Sequence, residues 1–347
     1  MTVIFNSMVG KVMSEPSVEP IIPLPCLRPE DEIYFAPHKR ALKFFNPWGG
    51  SLPPKIPDIL QWMIKPNPHR AQKRVGPALL SEPQPLLEFD RIQSDAKVLW
   101  LGHASVLVEI DGVRVLVDPV LGNVAGLVRR RGPAPVQAEE LHRADVVLIT
   151  HAHWDHFDPK TLLRLLRNGQ DAPLLAVPLG LGRSAPRGFD RVLELDWWQK
   201  FRLGPLEFAF VPAQHWHRRT VFDQNRVLWG GWMIRGSRSL YHCGDTGYFG
   251  GFRVIGETLG SPDLALLPIG AYEPRSFMRH QHMNPSDSLH AWRELGAGHF
   301  LGIHWGTYDL SDEPMNEGPR ELQRVMLREG IASERVSVLQ HGGSLRF

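Results

Sequence analysis

Short apolar runs separated by polar turns begin near Lys97 and continue towards the end of the chain. The runs typical of strands cover residues 98–101, 105–110, 113–119, 146–150, 174–177, 207–211, 227–234, 239–242 and 264–268. Asp111-Gly112 separates the second run from the third and predicts a hairpin there. Residues 159–167 and 285–295 are typical of helices, since each stretch opens with a proline. Because strands and helices interleave without a fixed repeat or a linker, we predict one α/β domain over residues 67–347.

The beginning of the chain has a different pattern. Five prolines interrupt it too often for a regular helix or a central strand: Pro16, Pro20, Pro23, Pro25 and Pro29. Residues 56–65 form an apolar stretch in which Asp58 favours the start of a short helix. We therefore expect residues 1–66 to be an irregular arm and a short apolar helix that pack on the core. The alternative is that this helix contacts lipid or an acyl chain.

Composition and charge exclude several classes of protein. Hydrophobic residues make up 43% of the 347 residues and charged residues 22%, as in ordinary globular proteins. The net charge of +2 gives no surplus for binding phosphates non-specifically, so no nucleic-acid partner is expected. Cys26 and Cys243 are too few for a disulfide framework or a thiolate zinc site, so a metal must use histidine and carboxylate.

The segments of the chain that could meet a membrane are few. No apolar run approaches the roughly 18 residues of a membrane span, and the first residues lack a secretory pattern. We expect a cytoplasmic location. Peripheral membrane contact stays open, and residues 129–131, three consecutive arginines, are either a lipid headgroup contact or a solvated loop.

Potential metal ligands are concentrated directly after the strand at 146–150. His151, His153, Asp155 and His156 place four of them within six residues. Imidazole and carboxylate suit zinc or a similar transition ion, but one cation cannot easily use all four. Two cations about 3.5–4 Å apart could divide them and activate water. A chance cluster would bury several polar groups without partners, so we predict a metal site here.

This H-x-H-x-D-H string and its upstream strand resemble the metallo-β-lactamase superfamily. The resemblance implies an αββα sandwich with the metals at one edge of two sheets. It also implies three later ligands, a histidine, an aspartate and a final histidine, which are best matched here by His215, Asp245 and His304. Gly244 and Gly247 fit a tight turn around the aspartate.

The same resemblance divides the ligands between two metals, zinc being expected and manganese or iron being the alternatives. His151, His153 and His215 would bind one cation, Asp155, His156 and His304 would bind the other, and Asp245 would bridge them. The alternative ligands are His217, His242 and His299, while His103 is expected to have a structural or supporting position.

Longer strings between residues 44 and 343 resemble the branch of the superfamily that hydrolyses N-acylphosphatidylethanolamine as a phospholipase D. They include Asn46-Pro47-Trp48, Gln214-His215-Trp216, Leu228-Trp229-Gly230, Gly244-Asp245-Thr246-Gly247-Tyr248 and His304-Trp305-Gly306-Thr307. The resemblance implies a homodimer that releases N-acylethanolamine and phosphatidic acid. It implies that a hydroxide shared by the cations attacks phosphorus, with Asp155 and Asp245 as the catalytic carboxylates.

The substrate is less well defined than the metal site. Tyr272, Glu273, Arg275 and His282 are candidate pocket residues, unless their side chains merely hold the loop around Pro274 in shape. The first 40 residues match no family that we can name. A soluble phosphodiesterase or a lactonase of the same fold is the alternative function, and a non-catalytic metal- or lipid-binding module is a third.

Overall fold

The computed structural model describes residues 16–23, 28–50, 56–74, 82–168 and 171–347. In chain order, its strands are β1 Glu19–Pro20, β2 Lys39–Arg40, β3 Lys43–Phe44, β4 Ala96–Gly102, β5 Ser105–Ile110, β6 Val113–Val117, β7 Val146–Leu148, β8 Leu174–Pro178, β9 Val192–Leu195, β10 Gln199–Leu203, β11 Leu206–Val211, β12 Gly231–Arg235, β13 Ser239–His242, β14 Leu264–Pro268, β15 His299–Ile303, β16 Val336–Ser337 and β17 Ser344–Arg346. The α-helices are α1 Ile56–Ile64, α2 Arg70–Arg74, α3 Pro85–Arg91, α4 Pro159–Leu165, α5 Gly251–Leu259, α6 Arg275–Met278, α7 Pro285–Leu295 and α8 Glu317–Glu329. Short 3-10 helices span Pro29–Phe35, Ala138–Leu141, Leu166–Asn168, Gly182–Ser184 and Ser333–Arg335.

Two large sheets form the centre of the described part of the chain. One has eight strands in the order β1-β10-β11-β12-β13-β14-β15-β16, and the other has seven in the order β17-β4-β5-β6-β7-β8-β9. Strands β6 to β9 are mutually parallel, as are β13 to β16, so their carboxyl ends share an edge of each sheet. The C-terminal strand β17 returns to pair antiparallel with β4.

The seven-stranded sheet is buried on both faces, and alternate residues of its strands enter different clusters. Trp100, Val106 and Val117 pack into a core shared with side chains of the other sheet, such as Phe208 and Trp232. Their sequence neighbours pack on the opposite face with residues of the helical layer: Leu99, Leu101, Leu107 and Leu116 with Phe157, Leu162 and Leu165. A period of two therefore separates the two faces of each strand.

Helices α5, α7 and α8 cover the outer face of the eight-stranded sheet, where Phe252, Leu289 and Leu322 join the core. Helix, sheet, sheet and helix thus form four layers, and the expected αββα sandwich is confirmed.

Most of the predicted elements are present, with shifted ends. The hairpin of β5 and β6, the helix after the histidine motif and α7 lie where the sequence pattern placed them. The strand expected at 227–234 begins only at Gly231, because the preceding backbone bonds to loops: Leu228 N–H to Leu179 and Gly230 N–H to Thr150. Strands β9, β10 and β15 and helices α5 and α8 were not predicted.

The described part of the N-terminal region lies against the domain. Strand β1 pairs with β10 at the edge of the eight-stranded sheet, and Tyr34, Phe35 and Trp48 pack against the main core. The apolar helix expected at 56–65 is α1, although the side chain of Asp58 lies outside the described part. Residues 1–15, 24–27 and 51–55 of the predicted arm also lie outside it. Among the described residues, no helix combines the length and the apolar character that crossing a bilayer requires.

Candidate metal centre

The predicted ligands leave both sheets at neighbouring strand ends. His151, His153, Asp155 and His156 follow β7 of the seven-stranded sheet. The other three predicted ligands follow strands of the eight-stranded sheet: His215 after β11, Asp245 after β13 and His304 after β15. The centre therefore lies at the edge where the two sheets meet.

Four side chains form what we call the first cluster: His151, His153, His215 and Asp245. His153 Nδ1 lies 3.0 Å from His151 Nε2 and 3.1 Å from His215 Nε2. Asp245 Oδ2 lies 3.9 Å from His151 Nε2 and 4.0 Å from His215 Nε2. Ligand atoms around a tetrahedral zinc ion with bonds of about 2.0–2.1 Å are about 3.3 Å apart. The four distances lie on either side of this spacing, so the four side chains are placed to converge on a single metal ion.

The second cluster contains His103, Asp155, His156 and His304, and it adjoins the first through Asp245. Asp245 Oδ2 lies 3.3 Å from His156 Nε2, and Asp245 Oδ1 lies 3.0 Å from His304 Nε2. His156 Nε2 is 3.9 Å from Asp155 Oδ2. Asp245 therefore contacts both clusters, which is the arrangement that a bridging carboxylate requires.

Several polar atoms in the two clusters are buried without a hydrogen-bond partner in the described chain: His156 Nε2, Asp245 Oδ1, His304 Nδ1 and His304 Nε2. Leaving such groups unpaired is costly, and the cost rises when the group is charged. Binding of divalent cations satisfies imidazole nitrogens and carboxylate oxygens together, so the donor set fits such ions.

The electrostatics of the first cluster suit metal binding. Burial, and then the neighbouring histidines, lower the pKa of His151 and His215 well below 6.5. Burial lowers the pKa of His153 to about 3. These imidazoles are consequently neutral at physiological pH, which is the protonation state that a metal ligand needs.

His156 has the opposite environment. Burial opposes its charged form, but Asp245, Asp155 and Asp118 outweigh burial and raise the pKa of His156 well above 6.5. Burial likewise opposes ionisation of Asp245, yet the surrounding histidines lower its pKa well below the usual range. The space beside His156 Nε2 therefore favours a positive charge, which is a proton in the free chain or a cation in the loaded one.

Asp118, at the end of β6, is a supporting residue that the motif did not reveal. Its fully buried carboxylate accepts hydrogen bonds from His156 Nδ1 at 2.7 Å, from the Thr150 amide at 2.8 Å and from the Thr150 hydroxyl at 2.5 Å. The Thr150 hydroxyl lies 3.0 Å from His151 Nδ1. Partners of this kind fix the orientation of ligand histidines. The sequence signal was an aspartate directly after the apolar residues Val115, Leu116 and Val117.

Gly244 places Asp245 in the centre. Its φ is +63°, a region that disfavours other residues, and an added Cβ would lie 2.8 Å from both Gly230 O and Thr150 Cβ. The backbone before Asp245 therefore requires glycine at position 244.

The remaining histidines have distinguishable surroundings. His103 Nε2 lies 3.1 Å from Asp155 Oδ2, so this residue supports a predicted ligand as expected and is close enough to join the second cluster. His242 bonds to Ala104 O, and His299 bonds to Ser337 on the outer strand pair. His217 is buried beside His153 but belongs to neither cluster.

Of the four candidate pocket residues, His282 lies closest to the clusters. Its Nδ1 is 3.8 Å from Asp245 Oδ2, and burial lowers its pKa to about 4. Arg275 instead donates to His282 O and to Asp287, while the Tyr272 and Glu273 backbone amides bond to Glu313. These three residues shape the loop that carries His282.

The arginine run at 129–131 is partly used within the protein. Arg130 donates to Leu101 O and Val120 O, and Arg131 pairs with Asp309. Arg129 is exposed. Arg130 is therefore used within the protein, whereas Arg129 and Arg131 are exposed, and a headgroup contact by this run stays a prediction.

Comparisons with known proteins bear on the family and the fold of this chain. The β-lactamase superfamily domain matches residues 113–305. The N-acyl-phosphatidylethanolamine-hydrolyzing phospholipase D 1 of Caenorhabditis elegans is 33% identical over 305 residues, which cover 82% of this chain and 85% of that protein. The corresponding Saccharomyces cerevisiae phospholipase D is 34% identical over 240 residues, or 65% of this chain and 51% of that protein. The metallo hydrolase Igni18 of Ignicoccus hospitalis shares the fold with a TM-score of 0.55, at 24% identity over 73% of this chain and 98% of its own.

Proposed function

Since this chain is a metal-dependent hydrolase of the metallo-β-lactamase superfamily, in the branch of the N-acylphosphatidylethanolamine-hydrolysing phospholipases D, we propose that it cleaves a phospholipid phosphodiester. The proposed substrate is N-acylphosphatidylethanolamine or a related lipid. The observation that carries the proposal is the position of Asp245, which lies within 4.0 Å of histidine nitrogens in both clusters.

Each group of residues has its own part in the reaction. His151, His153, His215 and Asp245 would hold one divalent cation. Asp155, His156 and His304 of the second cluster would hold the other, with Asp245 beside His156 and His304. Two such cations supply activated water and neutralise charge on phosphoryl oxygens. Asp118 and Thr150 keep the ligand imidazoles oriented. His282 Nδ1, 3.8 Å from Asp245 Oδ2 and without a described hydrogen-bond partner, would be available to the phosphate.

The bonds change in one displacement. The oxygen of water bonds to phosphorus, the bond between phosphorus and the ethanolamide oxygen breaks, and a proton passes to that oxygen. The products are N-acylethanolamine and phosphatidic acid. Oxygen from solvent therefore ends in the phosphate and not in the ethanolamide.

The rim of the centre supports a lipid over a water-soluble diester. Trp154, between two predicted ligands, is 40% exposed, and the nearby turn exposes Val221 by 80% and Phe222 by 83%. Arg219 joins this turn to the motif, because its guanidinium lies 3.6 Å from the centre of the Trp154 ring and donates to Ala152 O. Exposed apolar side chains beside a reactive centre suit a substrate with hydrocarbon chains at a membrane surface.

The test is turnover by purified protein of measured metal content. N-acylphosphatidylethanolamine and phosphatidylcholine in vesicles are compared with bis(p-nitrophenyl) phosphate and with a lactone. We expect the first lipid to be the best substrate, with ¹⁸O from labelled water in phosphatidic acid. Faster turnover of the soluble diester or the lactone, or label in the ethanolamide, would overturn the proposal.

The exposed rim provides a second test. Phe222→Ser should lower turnover of vesicle lipid about tenfold while leaving the soluble diester rate within about twofold, because it removes apolar contact without touching the ligands. Leu327→Ser is the matched control, since Leu327 is 78% exposed on α8 and away from the rim. Equal losses on lipid and soluble substrates would contradict a lipid-facing rim.

A further inference from the structure

Residues 44–50 of the N-terminal region contact the loop that carries His215. Asn46, which is 7% exposed, donates from Nδ2 to the carbonyl oxygen of His215 at 3.0 Å. Its Oδ1 accepts from Trp229 Nε1 at 3.1 Å. The amide is therefore fixed at both ends, and it binds the backbone of a predicted metal ligand that lies 169 residues away.

Trp48 makes a parallel contact one residue earlier in the same loop. Its Nε1 donates to Gln214 Oε1 at 3.2 Å, and Gln214 Nε2 donates to His280 O at 3.1 Å. The ring of Trp48 packs between Trp197 and Phe249, at centroid distances of 5.5 Å and 5.1 Å. The position of the Gln214 side chain is thus set by the N-terminal segment.

Gln214 in turn connects the loops around the centre. Its backbone accepts from Gly247 N–H at 2.9 Å and donates to Thr246 Oγ1 at 2.9 Å, both beside Asp245. His215 Nδ1 lies 3.1 Å from Gln281 O, so the ring itself bonds to the segment before His282. Asn46 and Trp48 therefore contact the junction of three ligand or pocket loops.

We propose that Asn46 is a positioning residue for the metal ligand His215, so that residues 44–50 are part of the metal centre and not only a packed arm. The inference rests on the metal centre described above and not on the identity of its substrate. Asn46 acts through the backbone of His215. Its side-chain amide donates to the His215 carbonyl oxygen and so fixes the path of the backbone after β11. This backbone path directs the His215 imidazole towards His153.

The buried side-chain amide of Asn46 is the physical reason for its positioning role, because it both donates and accepts a hydrogen bond. Trp229 already bonds to Ala213 O at 3.0 Å, so loss of the Asn46 acceptor leaves that indole partly satisfied. The His215 carbonyl loses a described donor when the amide is replaced. Changes to groups that orient metal ligands commonly cost about 10–100-fold in metal affinity.

The test uses Asn46→Asp in the full chain, because aspartate keeps the shape and the acceptor but sets a carboxylate oxygen against the His215 carbonyl. Zinc affinity is measured by chelator competition, and the visible spectrum of the Co²⁺-loaded protein reports ligand geometry. We expect a loss of zinc affinity of about 10-fold or more at one of two sites and an altered Co²⁺ spectrum. Asn316→Asp is the matched control, since Asn316 precedes α8 and makes no side-chain capping bond.

Trp48→Phe is the second variant, for the case in which Asn46→Asp does not fold. It keeps the aromatic packing but removes the donor to Gln214, and we expect a smaller loss of zinc affinity with unchanged circular dichroism. Wild-type zinc affinity and Co²⁺ spectrum in either folded variant overturn the proposal. Loss of lipid turnover with intact metal binding also contradicts the positioning role of Asn46. Such a result would indicate that residues 44–50 act in substrate binding.

Discussion

At the scale of single residues, Asp118 shows how the centre is held in place before any cation binds. Its carboxylate is completely buried and accepts three hydrogen bonds, from His156 and from the amide and hydroxyl of Thr150. The φ of Asp118 is +45°, which non-glycine residues seldom adopt, and such backbone is retained where surrounding contacts fix it. Asp118 therefore fixes two positions in the loop that carries the predicted ligands, namely Thr150 and the His156 ring.

Asp118→Asn should weaken the centre without removing a ligand. An amide has one acceptor oxygen, so its NH₂ group faces either the Thr150 amide, which bonds to Oδ1, or the Thr150 hydroxyl and His156 Nδ1, which both bond to Oδ2. In either case a buried donor stays unpaired. We expect the metal-free protein to lose about 1–3 kcal/mol of its free energy of unfolding and the loaded protein to bind zinc about 10–100-fold more weakly. Urea unfolding and chelator competition measure the two effects. The exposed Asp190→Asn is the control, and equal behaviour of both variants would contradict the assignment.

His341, which is not a predicted metal ligand, should make the stability of the fold depend on pH. It is buried against Trp100 and lies 2.9 Å from the Thr307 hydroxyl, and burial, then Arg130, lowers its pKa to about 3. The unfolded chain binds this proton near pH 6.5 and the folded chain only near pH 3, so stability falls as pH decreases between these values.

The expected size of this effect follows from one proton. Between about pH 6.5 and about pH 3, the metal-free wild type should lose about 1.4 kcal/mol more per pH unit than His341→Gln. Urea unfolding in a chelating buffer at several pH values across this range measures both slopes. Parallel slopes would show that His341 gains its proton equally in the folded and unfolded chains.

At the scale of elements, the sequence predicted the strands and helices whose apolar pattern matches their burial in the fold. The strands β4 to β8 are rich in apolar residues because both faces of their sheet are covered, so the apolar pattern predicted them. Strands β9 and β10 carry Glu194, Lys200 and Arg202 and therefore show a weaker pattern. Helix α8 is rich in charged residues, and its buried face is reduced to a few side chains such as Leu322 and Val325.

The starts of helices α4 and α8 can be compared by measurement, because α4 has a side-chain cap and α8 has none. Asp158 accepts from the amides of Lys160 and Thr161 at 3.1 Å and 3.2 Å, whereas Asn316 at the start of α8 makes no side-chain cap. Asp158→Ala should lower the free energy of unfolding by about 1 kcal/mol, and Asn316→Ala should change it little. Calorimetry of both variants tests this, and a larger effect at Asn316 would contradict the described caps.

At the scale of the whole molecule, the centre joins two sheets that are distant in sequence. Local spacing predicted four ligands after β7, because the four side chains lie within six residues. Spacing could not assign the later ligands or Asn46, since their approach depends on how the sheets pack, and the family resemblance supplied His215, Asp245 and His304. The supporting contacts of Asn46 and Asp118 are tertiary in origin, and although Asn46 lies in a string that carries the family resemblance, the string does not show what its amide contacts.

Cations in this position should therefore stabilise the packing of the two sheets. The first cluster combines His151 and His153 from one sheet with His215 and Asp245 from the other, so a bound ion links them. Free metal at about a thousand times its dissociation constant contributes about 4 kcal/mol per site to stability. Removal of metal by a chelator, checked by elemental analysis, should lower the melting temperature by several degrees, and zinc should restore it. In Asp245→Asn, which lacks the shared carboxylate, the response should be much smaller. If the melting temperature of the wild type does not change when metal is removed, bound metal does not stabilise the packing of the two sheets.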